Sequence, residues 1–270
     1  KNALNTMMMS FISLGFVAVL WALIGYSLAL SPGSNWIGDL SFAFLGSGEF
    51  DPWSEPVDRW LLARTRNPSG PVLVCPTAAA HEGDESYDGW ANKGLEHYRA
   101  LGIAADVLPL KTRDDAIRDE VGARLDDASA IFFSGGNPAR LAQVVVDTPF
   151  WAALQTALRD GLPYAGCSAG VAFLTEKTFD SDRQDFDSVW APGIGYVKDT
   201  LFGPHWDIVD TWIPGATDFI AGSVGPGQTF IGLDEETAMV GDGHAWEVMG
   251  REKVNVLRGD MALVGPRPMV

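Results

Sequence analysis

The chain is poor in cysteine, in positive charge and, over its first 80 residues, in histidine, and each shortage removes a class of protein. Two cysteines, Cys75 and Cys167, cannot build a disulfide framework, and neither C-x-x-C nor H-E-x-x-H spacing occurs, so no metal or cofactor is expected. Lysine and arginine number 19 against 35 aspartate and glutamate, a net charge of −16. Such a surface repels phosphate backbones, and no basic stripe offsets it, which argues against nucleic acid as a partner. The glycine turn Gly46-Ser47-Gly48-Glu49 lacks the lysine of a phosphate-binding P-loop and the spaced glycines of a dinucleotide site. Internal repeats and low-complexity segments are absent as well.

Charge is missing altogether from residues 7–30, MMMSFISLGFVAVLWALIGYSLAL. At ~1.5 Å per residue this run is long enough to cross a hydrocarbon core of ~30 Å, and it reads as a transmembrane helix. Lys1 before it and Asp39 and Glu49 after it orient the amino end toward the cytoplasm. The alternatives are a signal peptide cut near Ser27-Leu28-Ala29, for which the apolar run is long, and a buried helix of a soluble protein. The wording of Lys1 to Phe11, of Gly25-Tyr26-Ser27-Leu28-Ala29 and of Trp36-Ile37-Gly38-Asp39-Leu40 resembles the second membrane helix of ammonium transporters and the loop after it. With no histidine before His81, the conduction histidines of that family are absent, and one helix cannot form its pore. Residues 1–42 are therefore expected to be a transporter-like fragment joined to an unrelated enzyme domain, residues 43–270.

From Ser41 onward short apolar runs alternate with amphipathic stretches, the pattern of an α/β sheet. Strands are expected at 42–45, 71–75, 105–110 and 130–133, an edge strand at 192–197 and a further strand at 230–238 that ends in carboxylates. Helices are expected at 53–66 with Ser54 as a cap, 87–101, 114–125, 138–146 and 150–159. The Asp-rich segment 175–190 reads as a loop over the site, and 239–257 as a small β-meander.

Gly166-Cys167-Ser168-Ala169-Gly170 stands between the apolar run 162–165 and the apolar run 171–174. Strand, sharp turn and helix give the setting of a G-x-S-x-G nucleophile elbow, in which the serine hydroxyl stands at the carboxyl edge of a sheet. The second glycine turn, Ser134-Gly135-Gly136-Asn137-Pro138, falls one structural unit earlier and on the same edge, so the N–H groups of Gly136 and Ala169 could form an oxyanion hole. A serine nucleophile needs a base and an acid to orient it. Of four histidines His205 is best placed, just after a Gly203-Pro204 turn and ahead of the carboxylates Asp234 and Glu235. His81 reads as a loop residue, His97 as a surface or boundary residue of a helix, and His244 as a hairpin tip.

Gly46-Ser47-Gly48-Glu49, Phe133-Ser134-Gly135-Gly136-Asn137, the elbow, Gly203-Pro204-His205-Trp206 and Gly232-Leu233-Asp234-Glu235-Glu236-Thr237-Ala238 together resemble the dipeptidase E and cyanophycinase family of serine peptidases over residues 43–258. The resemblance implies a class I glutamine-amidotransferase-like fold, a mainly parallel sheet sandwiched by helices. It implies Ser168 as nucleophile, His205 as general base, Glu235 as third member, and Gly136 and Ala169 as oxyanion hole, with Asp234, Asp180 and Asp182 as reserve acids. It also implies a small peptide substrate, hydrolysis without a cofactor or metal, a cytoplasmic enzyme domain that is membrane-associated where the N-terminal helix is genuine, and a homodimer as a candidate assembly. Pro204 and Asn137-Pro138 depart from the cyanophycinase pattern, and only Lys177, Arg183 and Lys198 lie between the elbow and His205 as cations for an aspartyl substrate. Two other readings are an amidotransferase using Cys167, whose side chain should point away from the site, and an inactive fold that binds a ligand.

Overall fold

The computed structural model describes residues 40–183 and 185–258. The expected membrane helix at 7–30 lies outside them, and no helix among the described residues is long and apolar enough to cross a membrane.

Seven strands form the main sheet: β1 (Phe42–Leu45), β2 (Val72–Cys75), β3 (Ala105–Val107), β4 (Ala130–Phe133), β5 (Tyr164–Cys167), β10 (Thr237–Gly241) and β11 (Trp246–Gly250). Their order is β11-β10-β1-β5-β4-β2-β3. The five from β1 to β3 in that order run parallel, and β10 and β11 add an antiparallel edge. β1, β2, β4 and β5 are buried at every position, as strands covered on both faces must be. Alternate residues serve opposite faces. Phe42, Phe44, Leu73, Ile131 and Phe133 join one core, while Ala43, Leu45, Val72, Val74 and Phe132 join the other.

Helices α1 (Glu55–Leu62) and α2 (Asp84–Ala100) close the second core through Val57, Leu61 and Tyr98. The first is closed by α3 (Arg113–Ile117), α4 (Asp119–Ala123), α5 (Pro138–Val145) and α6 (Pro149–Arg159), together with α7 (Ala169–Ala172). A smaller three-stranded sheet, β12-β9-β8, is built from β8 (Thr200–Pro204), β9 (Thr229–Leu233) and β12 (Val254–Arg258), and β6 (Lys177–Phe179) pairs with β7 (Trp190–Pro192) as a hairpin. Helices α8 (Val209–Trp212) and α9 (Ala216–Gly222) lie between β8 and β9.

Several boundaries differ from the sequence reading, for local reasons. The helix expected at 114–125 is two, because Arg118 is extended with ψ 124°, and Thr112 opens the first with a capping box to Asp115. Ser54 makes no side-chain cap: its hydroxyl lies 3.1 Å from the Asp51 carbonyl and 3.3 Å from Asp58, and α1 is shorter than expected. The edge strand expected at 192–197 ends at Pro192, where β7 finishes, and the polar segment before it is the hairpin. Gly203 and Pro204 belong to β8 rather than to a turn. The run 230–238 is two strands in different sheets, with Asp234-Glu235-Glu236 as the turn between them.

Candidate active site

Gly166 pairs with Phe44 on one side and Phe133 on the other, so β1, β5 and β4 end side by side. Their carboxyl ends deliver three loops to one place: Gly46 to Glu49, Ser134 to Gly136, and the elbow at Ser168. Ser168 takes φ 49° and ψ −105°, a conformation costly to any residue with a Cβ, and it is this residue, not its glycines, that turns the chain left-handed. The glycines are needed for close approach instead. A Cβ on Gly166 would stand 2.2 Å from the Gly170 carbonyl oxygen, and one on Gly170 would stand 2.3 Å from that of Phe133.

His205 and Glu235 arrive from the smaller sheet. Pro204 and Leu233 are partners at the ends of parallel strands β8 and β9, so the residues that follow them emerge together. The Trp206 N–H donates to the Leu233 carbonyl at 3.0 Å and ties the two loops. His205 turns left-handed at φ 55°, which lets its ring reach back to the main sheet. Its Nε2 lies 3.0 Å from Ser168 Oγ and its Nδ1 lies 2.6 Å from Glu235 Oε1. An ionised carboxylate only accepts hydrogen bonds, so Nδ1 carries the proton and Nε2 is left free to accept from the serine. The Glu235 N–H in turn donates to Asp207 Oδ1 at 2.8 Å, and the Glu236 N–H to Ser47 Oγ at 3.1 Å, which fixes the turn.

The reserve acids are paired with groups other than His205. Asp234 accepts from the Asn255 side chain and the Lys253 N–H, and burial, then the charge of Asp207, raises its carboxyl above the usual range. Asp180 accepts from Asn137 at 2.6 Å; burial works to raise it, but that bond and the Asp182 N–H outweigh burial and hold it low. Asp182 meets Arg140, with His81 3.5 Å away. His97 lies 2.8 Å from the buried Asp58, and His244 sits in the turn between β10 and β11.

Cys167 is fully buried and its thiol donates to Glu49 Oε2 at 2.9 Å. Burial, followed by the Glu49 charge, pushes that thiol well above its ordinary range, the reverse of what a cysteine nucleophile requires. Glu49 was not singled out by its sequence, yet its buried Oε1 accepts the Gly135 N–H at 2.7 Å and so braces the loop that carries Gly136. Gly136 has φ 135° and packs so closely on Ala78 that a Cβ would come within 2.5 Å of its backbone. Among the described residues neither the Gly136 N–H nor the Ala169 N–H meets a protein acceptor, and Ala169 opens α7 directly after the serine. Ser168, His205 and Gly136 are among the residues lining a pocket of about 700 Å³.

A mainly parallel α/β sandwich with a serine on an elbow, a histidine against it and a carboxylate behind is the class of architecture these elements define. The pattern of Peptidase family S51 matches residues 42–249, and the chain belongs to that family. It is similar to a cyanophycinase from Synechococcus elongatus, 31% identical over 179 residues that make up 63% of this chain and 52% of that protein. The chain thus spans about half the length of the curated relatives it matches. The crystal structure of a peptidase from an acI-B1 Actinobacterium superposes with a TM-score of 0.73 at 29% identity, covering 83% of this chain and 93% of that one. A short stretch is also similar to an ammonium transporter of Bacillus subtilis, 48% identical over 52 residues, 19% of this chain and 13% of that protein.

Proposed function

We propose that the chain is a serine-type peptidase acting on small peptides, with Ser168 as nucleophile, His205 as general base and Glu235 as the orienting acid. The observation that carries this reading is the unbroken chain of hydrogen bonds from Ser168 Oγ through both nitrogens of His205 to Glu235, at the wall of a large pocket. Ser168 Oγ attacks the scissile carbonyl carbon while its proton passes to His205 Nε2. Glu235 holds the ring in the required tautomer and stabilises the imidazolium. The N–H groups of Gly136 and Ala169 receive the developing oxyanion, one from a loop braced by Glu49 and the other from a helix start. His205 then returns the proton to the leaving amine, and water, activated by the same imidazole, releases the acyl group from Ser168.

Covalent labelling with a fluorophosphonate tests this. The reading requires one adduct, on the peptide containing Ser168, and its loss in Ser168→Ala; labelling of Cys167 by a glutamine analogue would favour the amidotransferase reading instead, and a folded but unlabelled protein the ligand-binding one. We also read residues 1–42 as a separate membrane-helix segment resembling ammonium transporters, which would place the enzyme domain at a membrane. The family match and β1 both begin at residue 42, which supports a boundary within a residue of this one.

A further inference from the structure

The pocket beside Ser168 has a composition that the catalytic residues do not explain. Part of its lining is aromatic: Phe186 stacks on Phe219 with ring centroids 4.4 Å apart, Trp190 stacks on Phe219 at 5.9 Å, and all three line the cavity while staying partly exposed. These rings come from the β6-β7 hairpin and from α9, elements that contribute nothing to the serine, histidine and glutamate. Large apolar surface left open to water inside a cleft is costly unless a ligand covers it.

Charge in the same cavity is already spoken for. Among the described residues Arg183 is the one lysine or arginine lining the cavity, and its Nε lies 3.7 Å from Asp180. Lys198 is 3.0 Å from Glu176, and Lys177 sits 3.9 Å over the Trp190 ring, so neither stands ready for a substrate carboxylate. The carboxylates that line the pocket are likewise engaged: Glu49 with Gly135 and Cys167, Asp180 with Asn137, and Asp185 with Ser188.

We propose that the site selects peptides carrying a large apolar or aromatic side chain next to the scissile bond, held against Phe186, Trp190 and Phe219, rather than an acidic or a basic one. This rests on the serine-peptidase reading above and adds the substrate class to it. A volume of about 700 Å³ accommodates such a residue together with the peptide backbone that must reach Ser168.

Competition against fluorophosphonate labelling of the full chain separates the two claims. Peptide boronates with phenylalanine, aspartate or arginine at the boron-bearing residue are titrated against the probe. The phenylalanine boronate should protect Ser168 at a concentration about tenfold or more below the other two, the scale on which hydrophobic pockets discriminate. Phe219→Ala should erase most of that preference while still being labelled, and Phe186→Ala supplies the same comparison if the first variant does not fold. Equal or better protection by the aspartate or arginine boronate overturns the substrate class and leaves the peptidase reading intact, as does a preference undiminished in both variants. A wild-type chain that takes up no probe overturns both.

Discussion

The Nε2 of His205 lies 3.0 Å from the Oγ of Ser168 although one residue follows a strand of the small sheet and the other a strand of the main sheet. The contact therefore depends on how the two sheets are joined, and the turn at Asp234-Glu235-Glu236 joins them. Ser168→Ala and His205→Ala should each lower kcat on a peptide substrate by about 10⁵-fold or more. Glu235→Gln, which keeps the size but not the charge, should cost less, about 10²-fold to 10⁴-fold. Circular dichroism melts within a few degrees of wild type would show that the losses are chemical. Full activity in Ser168→Ala would end the proposed mechanism.

The four buried strands were legible because each is a short apolar run, and the elbow because glycine, serine and glycine stand between a strand and a helix. Only the resemblance pointed to Glu235 rather than Asp234 beside His205: the two stand in a turn whose next residue, Glu236, has φ 48°, and the alternation of faces along a strand gives no guide there. That turn was hidden because Thr237-Ala238 resumes an apolar run without a glycine or proline to mark the break. Glu49 was hidden for another reason. Its partners Gly135 and Cys167 are 86 and 118 residues away, and no local pattern shows that a carboxylate in a glycine turn will be buried beneath an elbow.

Glu49 should act on catalysis without touching the substrate. Removing its carboxylate in Glu49→Ala leaves the buried Gly135 N–H without an acceptor, a cost of about 1–3 kcal/mol in stability. It also frees the loop that presents the Gly136 N–H. The expected kinetic signature is a fall in kcat of about tenfold or more with KM little changed, because an oxyanion contact strengthens in the transition state. Glu49→Gln keeps one oxygen for Gly135 and should recover much of kcat. A variant whose KM rises while kcat holds would assign Glu49 to binding instead.

Asp58 offers the opposite case, a buried acid that is not part of the pocket lining. It is 2% exposed and lies within hydrogen-bond distance of Ser54, His97 and Tyr98, the last two at 2.8 Å. Asp58→Ala strands the Tyr98 hydroxyl in the core and should lower the unfolding free energy by about 2–4 kcal/mol. Urea denaturation measures this directly. Any folded fraction should retain wild-type kcat/KM on a peptide substrate, and a selective loss of activity would contradict the separation of this cluster from the site.

Acid should weaken the start of α3 by a calculable sign. Burial works to raise the Asp115 carboxyl, but the Thr112 N–H and hydroxyl, the Lys111 N–H and the Arg118 charge together outweigh it and hold the pKa below the usual carboxylate range. A carboxyl whose folded pKa lies below its unfolded value binds fewer protons when folded. Its stabilisation is therefore complete above the unfolded pKa of ~3.9 and drains away as the pH falls through the lower folded value. Asp115→Ala removes both the charge and one half of the capping box, so it should cost about 1 kcal/mol at pH 7. Denaturation curves of wild type and variant should be separated at pH 7 and should draw together on acidification below pH ~4, to the extent that the chain stays folded there. A gap that widened on acidification would mean that the carboxyl is held protonated in the folded protein, and the capping-box assignment would have to be abandoned.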